Sequence, residues 1–96
     1  MNTLSTDNLT VTRDVQDWSG RTVVVFTATP AKGSAYYTLY RDSLGRLNLC
    51  PTDTRRTRHV GSTHFFETVE EVAASRKRLR DLPGLVRALG GELVAR

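Results

Sequence analysis

A single cysteine, Cys50, stands in the chain, so no internal disulfide can form and no zinc site can be built from several thiolates. A reducing, intracellular setting is the simplest expectation. No apolar run approaches the ~20 residues that a membrane span requires. The opening MNTLSTDNLT has neither the basic nor the apolar segment of a secretory signal, so neither export nor a membrane partner is expected. Aromatic residues make up 7% of the chain, and the pattern of closely spaced aromatics and glycines that marks an RNA-recognition motif is absent. So are the glycine-rich phosphate and dinucleotide loops and the G-x-S-x-G nucleophile elbow.

The residues left for catalysis are few. Cys50, Asp53, His59 and His64 form the one constellation close in sequence. A Cys–His pair could make a nucleophile, but Cys50 closes a leucine-rich strand pattern and reads as a small core hydrophobe. Two histidines five residues apart, with no third ligand at useful spacing, make a poor metal site. The sequence therefore predicts no enzyme, no catalytic residues, no cofactor and no metal.

What is present describes one small folded unit. Its 96 residues suit a single domain able to bury roughly two thirds of its unfolded surface. The net charge is +4, unevenly spread. Residues 1–50 hold five basic and four acidic side chains, and residues 51–96 hold nine and six. Twelve of the fourteen basic residues are arginine, which favours bidentate contact with phosphate or carboxylate. A GC-rich coding sequence would raise arginine in the same way.

Residues 1–8 are polar and expected to fray, leaving 9–96 as the domain. From Leu9 the side chains alternate: Leu9, Val11, Arg13 and Val15 against Thr10, Thr12 and Asp14. After turn residues at Asp17, Ser19 and Gly20, the run Val23–Phe26 marks a central strand covered in part on both faces. Tyr36–Tyr40 alternates again, DSLG (Asp42–Gly45) forms a tight hairpin, and Leu47–Cys50 returns. Thr68 and Glu71 make a T-x-x-E capping box that opens a helix over Val69–Leu82. A shorter helix spans Leu85–Leu89, and Thr63–Phe66 and Glu92–Ala95 could extend the sheet. The fold class is α+β: an antiparallel meander of 3–5 strands, one main helix packed on one face and a short second helix. Predicted core residues are Val11, Val24, Phe26, Leu39, Leu47, Leu49, Phe65, Val72, Leu79, Leu85, Val86 and Leu89.

Three features suggest binding. Between Pro51 and His59 no large apolar side chain occurs, yet Arg55, Arg56, Arg58 and His59 interleave with small hydroxyls. Such a connection can grip phosphates, or it can be a solvated loop. Arg46 and Arg78 are outlying members of the same basic set. In the run Arg76–Arg80 the basic residues spread around a helical wheel, with Arg76 inside the apolar arc, and that spread reads more simply as a solvated helix end. Tyr36 and Tyr40 share a strand face and could stack on bases, and Trp18 could anchor an interface, although a core role serves each as well. The expected function is a small basic non-catalytic protein that contacts nucleic acid or a nucleoprotein complex through its arginine-rich loop. The alternative is a protein-interaction module, such as a small phage-type inhibitor, that meets a larger host complex through its sheet edge and arginines. A strand edge left open after Leu47–Cys50 could also pair with a second copy.

Overall fold

The computed structural model describes residues 2–33, 35–53, 60–91 and 93, and the side chain of Trp18 lies outside the description. Six strands follow one another as β1 (Thr3–Ser5), β2 (Leu9–Trp18), β3 (Arg21–Pro30), β4 (Tyr36–Arg41), β5 (Leu47–Thr52) and β6 (His64–Phe66). They form one antiparallel sheet in sequence order, a pure meander. Two helices, α1 (Val69–Ser75) and α2 (Leu82–Ala88), come after the strands, joined through a 3₁₀ turn at Lys77–Leu79. The α+β class holds, with six strands rather than three to five. Among the described residues no helix is long and apolar enough to cross a membrane.

The turns explain the register. Ser19 and Gly20 both take positive φ, 51° and 79°, which gives the two-residue connection whose twist matches a β-hairpin. At the β4–β5 hairpin Asp42 accepts from the amides of Leu44 (2.9 Å) and Arg46 (3.0 Å), while Gly45 supplies φ 84°. Pro51 pairs with Tyr37 on β4, where the ladder with β6 has already ended at Leu49–His64. A proline is tolerated there because its missing N–H faces no strand.

Alternation then sorts the two faces. Leu9, Val11, Phe26, Ala28, Leu39, Leu47 and Leu49 meet Val72, Leu79, Leu82, Leu85, Val86, Leu89 and Leu93 in one core. Val24 packs half-buried at its margin. Phe65 is a correction: it is 52% exposed, because the pairing of Leu47 with Phe66 gives the inward place to Phe66. The face opposite the helices is not bare. Val23, Val25, Thr27, Asn48, Cys50 and Thr52 are buried there. Tyr40 stands opposite both Val25 and Asn48, so its ring shields its cross-strand neighbours.

Other expectations change in detail. Thr3–Ser5, inside the polar start, forms an edge strand held by side-chain hydroxyl pairs Thr3–Thr12 (3.3 Å) and Ser5–Thr10 (3.0 Å). The edge after Leu47–Cys50 is not open, because β6 pairs with β5. The helix expected over Val69–Leu82 breaks at Arg76, whose φ −129° and ψ 99° are extended. Pro83 lies in the first turn of α2, where a missing N–H costs nothing, so the second helix begins at Leu82 rather than Leu85. Of the proposed last strand, only Leu93 lies among the described residues, and it is buried outside any strand.

The N-terminal cap of α1 forms as its sequence implies. Thr68 Oγ1 accepts from the Glu71 amide at 3.2 Å, and the Glu71 carboxylate accepts from the Glu67 amide rather than from that of Thr68. Thr68→Ala is expected to lower stability by about 1 kcal/mol. The shift would be read from the urea midpoint at unchanged slope.

Candidate anion-binding cleft

The break at Arg76 decides where the basic run points. Leu79 is fully buried, as are Val72 and Leu82 on either side of it, so the chain is anchored at these positions. The tighter 3₁₀ turn, closed by Leu79 N–H to Arg76 C=O at 2.8 Å, leaves Lys77, Arg78 and Arg80 exposed around that anchor. They face the β3–β4 turn, where Lys32 is exposed. Between these segments lies a cleft of about 300 Å³ lined by Lys32, Lys77, Arg78 and Arg80, with Asp7, Asn8, Pro30 and Ala31 completing the wall. Among the described lining residues four cations face one carboxylate, Asp7, and the Asp81 carboxylate beside them acts on Arg80. Among the described residues none of the four makes an ion pair. The Arg78 guanidinium lies across Gly33, where a Cβ would come within 3.3 Å of Nη1.

Hydrogen bonds fix the walls to one another. Asp81 accepts from Thr6 Oγ1 at 2.7 Å and Asn8 Nδ2 at 3.3 Å, tying the β1–β2 turn to the start of α2. The amide of Ala31 donates to Asn8 C=O at 2.8 Å, tying the β3–β4 turn to the same place. The cleft thus rests on three chain segments joined to each other, a rigid setting for exposed charges.

That tether gives a pH dependence. Hydrogen bonds from Thr6 and then Asn8 hold the Asp81 carboxyl below its ordinary value of 3.8. Burial works to raise Asp42, but the bonds from Asn48 and from the Arg46 and Leu44 amides outweigh it and lower that carboxyl too. A carboxylate depressed by folding adds stability above its unfolded value and loses it as pH falls through the folded value. Stability is therefore expected to decline as pH drops from about 5 toward about 2. Urea midpoints of Asp81→Asn across that range should fall less steeply than those of the parent chain.

The other residues singled out in the sequence are distributed elsewhere. Among the described residues, Arg78 is the one member of the predicted set that lines the cleft. Arg46 is at the opposite end of the sheet, 3.2 Å from Asp42 and stacked over the Phe65 ring at 4.3 Å. It is engaged internally. Tyr36 and Tyr40 are half-buried on the face away from the helices, and desolvation raises the Tyr40 hydroxyl above its ordinary range. Arg55, Arg56, Arg58 and His59 lie outside the described residues, as does the side chain of Trp18. Cys50 is buried with its sulfur 3.0 Å from Thr63 Oγ1, while His64, opposite Leu49, points to the other face, so the two do not pair. Arg76 is half-buried and makes no ion pair with Asp14 or any other described carboxylate. Among the described residues no group of three His, Cys, Asp or Glu could hold a metal ion.

Lys32, Lys77 and Arg80 went unselected in the sequence for a clear reason. A helical wheel assumes an unbroken helix, and Lys32 joins the others only through tertiary packing. Comparison with family models, curated proteins and solved structures returns no match, so the cleft is interpreted from its own chemistry.

Proposed function

We propose that the protein is a non-catalytic binder of nucleic acid or nucleoprotein, and that the cleft beside the β3–β4 turn grips the phosphate backbone. The supporting observation is convergence: Lys32, Lys77, Arg78 and Arg80 reach one solvent-filled groove from two distant parts of the chain. Exposed cations of this kind interact with phosphodiesters by displacing condensed counterions. Among the described residues no aromatic side chain lines the cleft, so contact is with the backbone and carries little base preference.

Topology adds support from the arginine-rich connection. Thr52 and His64, which bound it, are at the same end of the sheet as Pro30 and Tyr36, which bound the turn bearing Lys32. β3 and β5 are two strand spacings apart, about 10 Å. The cleft therefore sits at the end of the sheet where the arginine-rich connection, which lies outside the described residues, leaves β5 and returns to β6.

The test is fluorescence anisotropy with labelled duplex DNA and single-stranded RNA, titrated across salt. Binding in the micromolar range at low salt is expected, with log K falling against log salt at a slope of about −3 to −4 for duplex. Absence of binding to both nucleic acids at low salt would remove this reading. The arginines would then be left to meet carboxylates on a protein partner.

A further inference from the structure

We infer, resting on the cleft's grip of phosphate, that Asp7 makes it a reader of the sugar as well. The protein favours RNA over DNA, because the Asp7 carboxylate accepts a hydrogen bond from a ribose 2′-hydroxyl.

The walls of the cleft differ in chemistry. Lys77, Arg78 and Arg80 come from the 3₁₀ turn and its end, and Lys32 from the β3–β4 turn. The remaining wall, the β1–β2 turn, brings Asp7 and Asn8. The side-chain nitrogen of Asn8 is committed to Asp81 at 3.3 Å. Asp7 is exposed and makes no hydrogen bond or ion pair among the described residues. It lines one groove with four cations yet closes on none of them.

Its backbone is held in place. The Thr6 amide donates to Leu9 C=O at 2.8 Å, and Thr6 Oγ1 accepts from the amides of Asn8 (3.3 Å) and Leu9 (3.2 Å). Thr6 and Asn8 both donate to Asp81. Asp7 therefore stands at the tip of a turn pinned on either side of it to the start of α2.

Chemistry then selects the partner. An ionised carboxylate can only accept hydrogen bonds. The cations beside it recruit phosphate, whose ionised oxygens also only accept. The ester and ring oxygens of a DNA backbone offer no donor either, so Asp7 meets like charge there and gains nothing. An RNA backbone adds one donor per nucleotide, the 2′-hydroxyl, on the sugar next to each phosphate. Base amino groups are the other donors, but they lie beyond the sugar and differ from base to base. A bond from the hydroxyl to the carboxylate is charge-assisted and offsets the repulsion. One residue thus weakens the grip on DNA and supports the grip on RNA.

Fluorescence anisotropy with three labelled oligo-uridines of about twelve nucleotides tests this. One carries ribose, one 2′-deoxyribose and one 2′-fluororibose, which keeps the sugar shape of RNA without the donor. The parent chain is expected to bind the ribose strand about tenfold more tightly than either of the others. The three plots of log K against log salt should run parallel, because a hydroxyl releases no counterion. Asp7→Ala should bring the three strands within about twofold of one another and bind the deoxyribose strand more tightly than the parent does. Its thermal midpoint should match the parent's, since Asp7 is exposed and unbonded among the described residues. Equal binding of the ribose and deoxyribose strands by the parent chain overturns the inference and leaves the phosphate grip standing. So does a 2′-fluoro strand that binds like RNA, or an Asp7→Ala variant that keeps the tenfold ratio. Failure of every strand to bind at low salt removes the phosphate grip, and this inference with it.

Discussion

Replacing Lys77, Arg78 and Arg80 together by alanine is expected to weaken nucleic-acid binding about 50-fold at low salt and to flatten the salt slope by about 2.7 units. The slope change follows from three lost phosphate contacts at about 0.9 each for duplex DNA. The affinity change follows from about 0.8 kcal/mol per exposed ion pair, or about 2.4 kcal/mol in all. Stability should barely move. All three side chains are exposed, none is ion-paired among the described residues, and the turn is held by Leu79 rather than by them. Arg46→Ala is the control. That residue carries the same charge, but it is occupied by Asp42 and Phe65 at the other end of the sheet, so the slope should stay as in the parent chain. An Arg46→Ala loss about one third of that in the triple variant, the same per charge removed, would show that net charge alone, and not the cleft, governs binding.

Phe26→Ala should be the most damaging substitution for the fold. Phe26 is 1% exposed on β3, between Arg13 of β2 and Leu39 of β4, under the helices. Removing its ring leaves a cavity that neighbours on two strands and the helical layer cannot close without moving the sheet. The loss is expected to be about 3–5 kcal/mol. Domains of this size have about 5–15 kcal/mol in hand, so the variant sits near the unfolding threshold. A fall of about 20 °C in the thermal midpoint is the expected reading. Leu44→Ala removes a side chain of comparable chemistry at a hairpin tip, where Leu44 is 76% exposed, and should change stability by less than about 0.5 kcal/mol. The contrast separates burial from hydrophobicity as the source of the effect.

Most of the sheet was legible because it rests on local rules. The alternation from Leu9, the contiguous valines before Phe26 and the Asp42–Gly45 hairpin each specify strand and turn with no distant information. β1 escaped notice because a three-residue strand with one apolar member, Leu4, has no period to detect. The face of β6 was misassigned for a related reason. His64–Phe66 is too short for alternation to show which phenylalanine turns inward, and only its pairing with β5 decides that.

The cleft was less legible. Its cationic residues were visible, but the helix break at Arg76 was not. Nothing in Ser75–Lys77 resembles a breaker such as proline or glycine. The conformation there follows from burying Val72, Leu79 and Leu82 on the same sheet, a requirement set by packing rather than propensity. The partnership of Lys32 with Arg78 depends on the same docking.

Titration of isotopically labelled protein with a short DNA duplex, followed by amide and arginine side-chain NMR signals, addresses the central claim most directly. The largest shifts are expected on Lys32, Gly33 and the segment from Lys77 to Arg80, fading as salt is raised. Shifts concentrated on Tyr36, Tyr40 and Phe65, with the cleft signals unmoved, would contradict it.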